Sequence, residues 1–212
     1  MNSWDPIWED IHATEEWGRY PTEDLIRFVA RNFYKSTSRQ DTKFLDLGCG
    51  AGASSWYLAR EGFNVKGVDG SQSAIDKARK YLLKENLIAE FQVVDFVKTP
   101  FTDHYFDCVI DIASIQHNPK SLIPRIIDEV HRVLKPNGKF FGIMVAEGTI
   151  GDNVSTNERK DGPLSGRGLT TFFSEEEVIE YFKSFKTVNI YYRLRSVESG
   201  IYKEWIISAS KT

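Results

Sequence analysis

The sequence predicts an α/β protein built on a mostly parallel sheet, and three observations lead to that fold class. The segment KFLDLGCGAGA at 43–53 is an apolar strand that ends in glycines at alternate positions and then passes into a helical pattern. Strand-like and helix-like segments alternate from there to residue 146. Two further strand-like segments form an antiparallel hairpin near the C-terminus. Strands that alternate with helices need crossover connections, which place helices on both faces of a parallel sheet.

Two helices are predicted ahead of the first strand. Trp4, Ile7, Trp8 and Ile11 follow the spacing of one helical face, so residues 4–16 form an amphipathic helix. A break at Gly18 to Pro21 separates it from a second apolar stripe, which Thr22 caps. We therefore expect one domain over 1–212, with an N-terminal helical cap at 1–38, a core at 39–146, and a loop, helix and hairpin at 147–212.

The core alternates regularly after the glycine strand. The predicted helices are Ser54–Arg60, Ser73–Lys84 with a Ser73/Asp76 capping box, and Pro119–Leu134. The predicted strands are Asn64–Asp69, Ile88–Asp95, Tyr105–Ile112 and Lys139–Ala146.

The rhythm changes after residue 146. Glu147–Thr171 is a polar, glycine-containing connection without periodicity, and loops of that length in compact domains tend to be functional or disordered. Ser174 opens a last helix with a capping box. The hairpin strands are Thr187–Arg195 and Ile201–Ser210.

Composition excludes several classes of function. Hydrophobic residues make up 41% and charged residues 27% of the chain, and the net charge of −3 gives no general attraction to nucleic acid or to an anionic membrane. The N-terminal segment lacks the basic and apolar regions of a secretory signal, so we expect a cytoplasmic protein. Cys49 and Cys108 lack the spacing of a zinc site, and we expect neither a disulfide nor a metal.

The glycine turn predicts a nucleotide-type pocket. Glycine permits backbone angles that a Cβ disfavours and lets a ligand approach the main chain, while the following helix N-terminus suits polar or negative atoms. Asp46, Asp69 and Asp95 lie at or near the ends of successive strands. A carboxylate at the second of these places accepts from both ribose hydroxyls, which serves NAD and any other adenosine ligand equally.

The set of motifs resembles the S-adenosylmethionine-dependent methyltransferases of the Rossmann-like class I type. LDLGCGAG is similar to the first motif of that family, VKGVDGSQSAIDKAR to the ribose-binding segment and VVDF to the adenine corner. FDCVIDIASIQH and EVHRVLKPNGKFF resemble the fourth strand with its extension and the helix, turn and strand that follow. The resemblance runs from about Lys43 to Ala146, and it implies a three-layer fold with a seven-stranded sheet whose last strand is antiparallel.

The resemblance also implies the cofactor, S-adenosylmethionine, with S-adenosylhomocysteine as product. The turn at 48–52 would hold the methionine part, Asp46 would act on its ammonium group through the turn, Asp69 would bind the ribose, and Asp95 with Phe96 the adenine. The residues expected at the cofactor are Asp46, Gly48, Cys49, Gly50, Gly52, Asp69, Gly70, Asp95, Phe96, Asp111, Trp17 and Tyr20.

The acceptor should lie beyond the C-terminal ends of the fourth and fifth strands, where open α/β sheets bind their ligands. His117 is the candidate general base, because its pKa range suits proton removal near neutral pH; a structural histidine is the alternative. The residues expected at the acceptor are Ser114, Gln116, Glu147 and Arg167. The N-terminal helix and the long loop are the expected covers of the pocket. A solvated loop with scattered charges is the favoured interpretation of Arg159, Lys160 and Arg167, and contact with an anionic acceptor is the alternative.

The resemblance is closest to small-molecule methyltransferases, and the absence of an Asn-Pro-Pro-Tyr motif favours an oxygen acceptor on a sugar, a glycan precursor, or a phosphate- or carboxylate-bearing metabolite. Three alternatives stay open at this point: N-methylation of a small amine, an NAD-dependent oxidoreductase, and a cofactor-binding partner subunit without catalysis. Besides its small-molecule acceptor we expect no nucleic-acid or membrane partner, and a monomer or homodimer.

Overall fold

The computed structural model describes residues 4–152 and 163–212 of the chain. Its sheet has seven strands in the order β3-β2-β1-β4-β5-β7-β6. The first five run parallel, whereas β7 is antiparallel to both β5 and β6. The strands are β1 (Lys43–Leu47), β2 (Asn64–Asp69), β3 (Glu90–Val93), β4 (Phe106–Ile112), β5 (Leu134–Val145), β6 (Thr187–Val197) and β7 (Gly200–Ser210). The predicted seven-stranded sheet with an antiparallel last strand is thereby confirmed.

Helices cover both faces of the sheet, as the alternating pattern requires. They are α1 (Ile7–Thr14), α2 (Glu23–Phe33), α3 (Ala53–Arg60), α4 (Gln72–Leu83), α5 (Ile123–Val133) and α6 (Glu175–Tyr181). One apolar core includes side chains of α2, α3 and α4 such as Leu25, Leu58 and Ile75, and the other includes side chains of α5 and α6 such as Ile126 and Phe182. The molecule is therefore a three-layer sandwich.

The helix caps predicted at Thr22 and Ser174 are present in the structure. Thr22 accepts from the backbone N–H of Leu25 at the start of α2. Ser174 accepts from the N–H of Glu177 while the Glu177 carboxylate accepts from the N–H of Ser174, which completes the predicted capping box of α6.

The cap of α4 was predicted at the wrong serine. Ser71 is the N-cap, since its backbone is extended and its Oγ accepts from the N–H of Ala74 at 3.1 Å. Ser73 lies inside the helix, and its hydroxyl donates to Glu9 of α1 at 2.6 Å. Glu9 also accepts from the Ser71 hydroxyl, so this contact does not select the cap; the helix begins at Gln72.

The helix predicted from Pro119 begins at Ile123. Lys120–Leu122 forms a separate 3₁₀ turn before it, and Pro124 occupies the first turn of α5. The Pro124 ring excludes a helical carbonyl four residues earlier, so an α-helix cannot run through Lys120. Strand β5 is longer than predicted because Leu134 pairs with Phe106, after which residues 135–138 bulge before pairing resumes at Lys139.

Candidate active site

The site lies where the sheet changes direction of winding, between β1 and β4. Chain order proceeds outward from β1 in one direction through β2 and β3, and from β4 in the other through β5, which is the position where open α/β sheets bind ligands beyond their carboxyl ends. A cavity of about 340 Å³ opens there. Its lining residues are Trp4, Trp8, His12, Trp17, Gly48, Gly50, Asp69, Gly70, Phe96, Ile112, Ala113, Ser114, Gln116, His117, Asn118, Pro163, Leu164, Arg167, Arg195 and Tyr202.

The glycines after β1 serve two different purposes. Gly48 and Gly50 line the cavity with φ of +68° and +49°. Gly52 does not line it; a Cβ on Gly52, where φ is +89°, would lie 2.9 Å from the Cβ of Ala78 in α4. The first two glycines therefore shape the ligand-facing turn, whereas the third allows α3 and α4 to pack closely.

Asp69 holds the glycine turn and also faces the cavity. Its Oδ2 accepts from the N–H of Gly50 at 2.9 Å, and its Oδ1 accepts from the N–H of Ser71 at 2.9 Å. Burial raises the pKa of Asp69, while the N–H donors and the neighbouring His12 oppose that rise. Each carboxylate oxygen has a second lone pair, so the group can still accept from two hydroxyls of a ligand.

Helix α1 covers the cavity with one aromatic face. Trp8 and His12 are one helical turn apart and both line the cavity, with ring centroids 6.0 Å from each other. Trp4, just ahead of the helix, lies against Gly70, where a Cβ would be only 2.6 Å from the indole. Burial lowers the pKa of His12, and the charge of Asp69 opposes that effect. The N-terminal segment is thus a wall of the site, as predicted.

His117 follows β4 and is held in one orientation. Its Nδ1 lies 3.0 Å from the carbonyl oxygen of Leu169, and a carbonyl can only accept, so Nδ1 carries the hydrogen. The side-chain oxygen of Gln116 accepts from the N–H of Val145 at 2.7 Å, which leaves its amide nitrogen 3.3 Å from Nε2 of His117. Nε2 therefore carries the lone pair, which is the form that a proton acceptor needs.

The buried carboxyl group of Asp111 holds the turn that follows β4 through hydrogen bonds. Asp111 accepts from the backbone N–H groups of Ser114 and Ile115 at 3.2 and 3.0 Å and from the Ser114 hydroxyl. Burial raises the pKa of Asp111 to about 7, with the Ser114 hydroxyl bond opposing. Ala113, between the strand and this turn, has a φ of +62°, an unusual value for a residue with a Cβ. The chain thus turns abruptly at the cavity wall.

Two arginines line the cavity, one from the long loop and one from the hairpin. The Arg167 guanidinium lies 5.2 Å from the ring centre of Trp17 and pairs with Glu15 at 2.8 Å. The Arg195 guanidinium lies 4.9 Å from the ring centre of Tyr202 and 3.3 Å from the Glu204 carboxylate. Among the described lining residues, Asp69 carries the one carboxylate; each of the two arginines is also paired with a carboxylate outside the lining, Arg167 with Glu15 and Arg195 with Glu204.

The structure brings most of the expected site residues to the cavity. Those that line it are Trp17, Gly48, Gly50, Asp69, Gly70, Phe96, Ser114, Gln116, His117 and Arg167. Those that do not are Asp46, Cys49, Gly52, Asp95, Asp111, Tyr20 and Glu147. Arg159 and Lys160 lie outside the described residues.

Each absent residue has another place in the fold. Asp46 is buried and accepts from the Ser55 hydroxyl at 2.6 Å, Cys49 is buried in one of the two apolar cores, and Asp95 accepts from the N–H of Val97. Tyr20 is 76% exposed and packs edge-on against Trp56, and Glu147 is exposed. Their assignment to cofactor or acceptor therefore has no support from the cavity geometry.

Several lining residues were missed by sequence reasoning. The helix that carries Trp4 and Trp8 was expected to cover the pocket, but neither residue was named as a site residue, and His12, which shares that face one turn later, was not considered. Arg195 and Tyr202 belong to the hairpin, where alternation indicates two strands but not which end of the sheet they reach. Only the position of β7 beside β5 brings them to the cavity.

The residues present fit S-adenosylmethionine. The turn at Gly50 leaves open a place that a Cβ would fill, with the His12 ring beginning 3.4 Å beyond it. Asp69 provides a carboxylate for vicinal ribose hydroxyls, and Phe96 and Trp4 provide ring faces nearby. Among the described residues, no group of three or more His, Cys, Asp or Glu side chains is arranged to hold a metal ion.

Comparison with known proteins adds an independent observation. A family profile described as a methyltransferase domain matches residues 44–138. A sterol 24-C-methyltransferase from Neurospora crassa is 27% identical over 173 residues, which cover 77% of this chain and 45% of that protein. An uncharacterized protein from Haemophilus influenzae is 30% identical over 182 residues, covering 81% of this chain and 70% of that protein.

A solved structure is also similar to this chain. A SAM-dependent methyltransferase from Methanosarcina mazei superposes with a TM-score of 0.69 at 27% identity, covering 81% of this chain and 93% of that one. The chain spans less than half the length of the Neurospora crassa relative. Within the described residues, no helix has the length and apolar character needed to cross a membrane.

Proposed function

The chain belongs to the S-adenosylmethionine-dependent methyltransferases of the Rossmann-like class, and from that premise we propose that it methylates a hydroxyl oxygen of a small, anionic acceptor. One observation carries the proposal. The glycine turn with Asp69, the imidazole of His117 and the guanidinium groups of Arg167 and Arg195 all line one cavity. Cofactor groups, a proton acceptor and cations for an anionic group are therefore present in a single site.

The division of labour in this site follows from the chemistry of the groups. When bound, S-adenosylmethionine supplies a methyl group already activated on a sulfonium. The protein has to orient the acceptor, exclude water and remove a proton if the nucleophile is a hydroxyl. Nε2 of His117 would take that proton, because Nδ1 is committed to the Leu169 carbonyl, and the acceptor hydroxyl would then replace the Gln116 amide nitrogen as the donor to Nε2. Trp8 and Trp17 would exclude water, since they cover the same cavity.

The anionic character of the acceptor is supported by the two arginines. Guanidinium groups bind carboxylates and phosphates through paired N–H donors, and each of these two is held on an aromatic ring that orients it. Arg167 comes from the loop expected to contact the acceptor, and Arg195 comes from β6. A sugar phosphate, a glycan precursor or a hydroxy acid of modest size meets these requirements.

A second candidate is methylation of a carbon atom in an apolar acceptor. It is favoured by the Neurospora crassa relative, whose name specifies sterol 24-C-methylation, and by the indoles of Trp4, Trp8 and Trp17 in the lining. An apolar acceptor would leave the guanidinium groups of Arg167 and Arg195, which also line the cavity, without a role in acceptor binding. The oxygen acceptor is therefore the first candidate.

A labelled-methyl screen tests the proposal. The purified full chain would be incubated with trideuteriomethyl S-adenosylmethionine and three panels of acceptors: hydroxylated anions, small amines and sterols. Mass spectrometry would identify products by an increase of about 17 mass units, because CD₃ replaces H. Label on an oxygen of a hydroxylated anion supports the proposal. Label on a sterol carbon or an amine, or binding of S-adenosylhomocysteine without turnover of any panel, contradicts it.

A further inference from the structure

A short chain of hydrogen bonds joins the N-terminal segment to His117. The Oδ2 atom of Asp5 accepts from the backbone N–H of Leu169 at 3.1 Å. The carbonyl oxygen of the same Leu169 accepts from Nδ1 of His117 at 3.0 Å. Asp5 therefore holds the backbone N–H of Leu169, and the carbonyl of Leu169 in turn orients the imidazole of His117.

The approach of Asp5 to this loop depends on a glycine. Gly168 has a φ of +64°, and a Cβ there would lie 2.4 Å from Oδ2 of Asp5 and 2.7 Å from Cγ2 of Ile7. Asp5 also accepts from the N–H of Ile7 through Oδ1 at 3.1 Å, at the start of α1. A single carboxylate thus joins the first turn of α1 to the loop, in a space that only glycine leaves open.

A second contact follows the same path. The Trp8 ring lies 4.4 Å from the His117 ring between centroids, so α1 also limits the position of the imidazole from the cavity side. Arg167 pairs with Glu15 at 2.8 Å, which joins the same loop to the residue just after α1. The N-terminal segment and residues 167–169 therefore close over the site as one unit.

Two contacts place the hydrogen of His117 on Nδ1: the Leu169 carbonyl, which accepts from Nδ1, and the Gln116 amide nitrogen, which lies 3.3 Å from Nε2 and donates to it. Nδ1 also lies 3.2 Å from the Thr170 hydroxyl, and a hydroxyl can donate or accept. Contact with that hydroxyl is compatible with either neutral form of the ring, whereas contact with a carbonyl requires hydrogen on Nδ1. Displacement of Leu169 would therefore remove one of the two contacts that favour hydrogen on Nδ1 and would raise the population with hydrogen on Nε2, while the Gln116 contact still opposes that form.

We propose that Asp5 is a positioning residue for His117, because it fixes Leu169 so that the Leu169 carbonyl keeps the hydrogen on Nδ1 and the lone pair on Nε2. The inference deepens the proposed function and rests on it, since a lone pair on Nε2 matters for catalysis only if His117 is the base. Docking of α1 then does two things at once: it covers the cavity, and it prepares the imidazole.

The tautomer of His117 can be measured without knowing the acceptor. Nitrogen-15 labelled histidine in the full chain, observed by long-range proton–nitrogen correlation, distinguishes the Nδ1–H form from the Nε2–H form, and His117→Gln identifies the signal. Asp5→Asn keeps the shape of the side chain but removes the charge and one acceptor oxygen. Asp10→Asn is the matched control, because it makes the same chemical change at an exposed position of α1, five residues further along the chain.

Wild type should show the Nδ1–H form, and Asp5→Asn should raise the Nε2–H population by about tenfold, which is the effect of losing one hydrogen bond to a charged group. Asp10→Asn should match wild type. An unchanged tautomer in Asp5→Asn, an equal change in both variants, or an Nε2–H form in wild type would overturn the proposal. Gly168→Ala disturbs the same contact from the loop side and should give the same shift if Asp5→Asn does not fold.

This outcome is separable from that of the proposed function. The NMR signal reports the Asp5 to His117 connection in the absence of turnover, whereas the effect of His117→Gln on methyl transfer reports whether the imidazole acts as the base. If the first result is positive and turnover survives His117→Gln, the proposed role of His117 fails while the connection stands. If Asp5→Asn leaves the tautomer unchanged and His117→Gln abolishes turnover, the positioning role alone fails.

Discussion

The carboxylate of Glu9 accepts a hydrogen bond from the hydroxyl of Ser71 at 2.6 Å, and this contact fastens α1 to the segment that follows Asp69. The second carboxylate oxygen accepts from the Ser73 hydroxyl at 2.6 Å. Both serines lie at the start of α4, where the positive end of the helix dipole also favours a carboxylate. Glu9, in the helix that covers the cavity, is thus hydrogen-bonded to Ser71, which lies two residues after Asp69, the residue expected to bind the ribose.

Glu9→Gln should weaken the docking of α1. Burial acts to raise the pKa of Glu9, but the hydrogen bonds from Ser71 and Ser73 outweigh it and hold the pKa below 4.5. A depressed carboxyl pKa stabilises the docked state above the unfolded value, and this contribution is lost as the pH falls through the folded value. We expect amide exchange in residues 7–14 to rise about tenfold at neutral pH in the variant.

The pH dependence provides the control for this expectation. Amide protection of α1 in wild type should fall as the pH falls below 4.5, because Glu9 becomes protonated. Glu9→Gln should lack this pH-dependent contribution at every pH. Glu16→Gln changes an exposed carboxylate just beyond the same helix and should behave as wild type. Equal protection in Glu9→Gln and wild type at neutral pH would show that the contact does not hold the helix.

Gly50→Ala should weaken cofactor binding, whereas Gly52→Ala should lower the free energy of unfolding. At Gly50 the added Cβ enters the cavity and approaches the His12 ring at 3.4 Å, so affinity for S-adenosylhomocysteine should fall by about tenfold or more. At Gly52 the Cβ would lie 3.1 Å from the Cα of Ala78, between two helices, so the free energy of unfolding should fall by about 2 kcal/mol. Calorimetric titration and urea denaturation measure the two effects.

Gly166→Ala separates strain from contact in this comparison. Gly166 has a φ of +70° with no atom within 4 Å of the position of an added Cβ, so its variant reports the cost of the backbone conformation alone. That cost is about 1 kcal/mol. Equal losses of ligand affinity in the Gly50 and Gly52 variants would contradict the two separate roles.

His117→Gln should reduce turnover by about 10²- to 10⁴-fold if the imidazole removes a proton from the acceptor. The affinity for S-adenosylhomocysteine should change little, because the glycine turn and Asp69 provide the expected cofactor contacts. His104→Gln is the matched control, since His104 contacts the carbonyl of Leu134 and does not line the cavity. Turnover of the His117 variant at the wild-type rate would assign this histidine a structural role.

Arg195→Met should raise KM for an anionic acceptor by about tenfold while kcat changes less, because removal of one guanidinium removes binding of the anionic group. Methionine keeps an apolar stem against Tyr202, so packing is largely retained. Lys186→Met removes a charge from the exposed surface and should leave KM unchanged. Steady-state kinetics with the acceptor found in the screen measure both constants, and an unchanged KM in Arg195→Met would remove this residue from the acceptor site.

Periodicity predicted the alternation of strands and helices because the information it uses is local, whereas the seven-stranded sheet with an antiparallel last strand was implied by the family resemblance. The strand Lys43–Leu47 and the strand Asn64–Asp69 have the predicted bounds, since each is apolar and ends at a glycine or an acid. The error at α4 concerns where the helix begins. Glu9 accepts from the hydroxyls of both Ser71 and Ser73, so this contact does not select the cap; Ser71 is the cap because its backbone is extended and the helix begins at Gln72.

The site was predicted where motifs describe the sheet and missed where distant segments complete it. Asp69 and His117 follow strands whose order could be inferred, so their meeting at one cavity could be expected. Trp8, Arg195 and Tyr202 reach the cavity from the two ends of the chain. Their convergence depends on how α1 docks and on β7 inserting between β5 and β6, and neither has a signature in the sequence.

Asp46 predicts how stability should vary with pH. Its side chain is 2% exposed, and burial raises its pKa to about 7, with the hydrogen bond from Ser55 opposing. A carboxyl whose folded pKa is raised favours folding in its protonated form, so stability should fall as the pH rises from 3.8 to about 7 and then level off. Each unit of elevation corresponds to about 1.4 kcal/mol.

Asp46→Asn removes this titration and should therefore be less sensitive to pH than wild type. Urea unfolding at pH values of about 5 and 8, on either side of the folded pKa, would measure the difference. A residual decline is expected from Asp111, whose pKa is also about 7 and is raised further by charge on Asp46. Asp41→Asn alters an exposed carboxylate and should retain the full wild-type decline. If the free energy of unfolding fell equally with pH in wild type and in Asp46→Asn, burial would not raise the free-energy cost of ionising Asp46 in the folded protein, which would contradict the prediction.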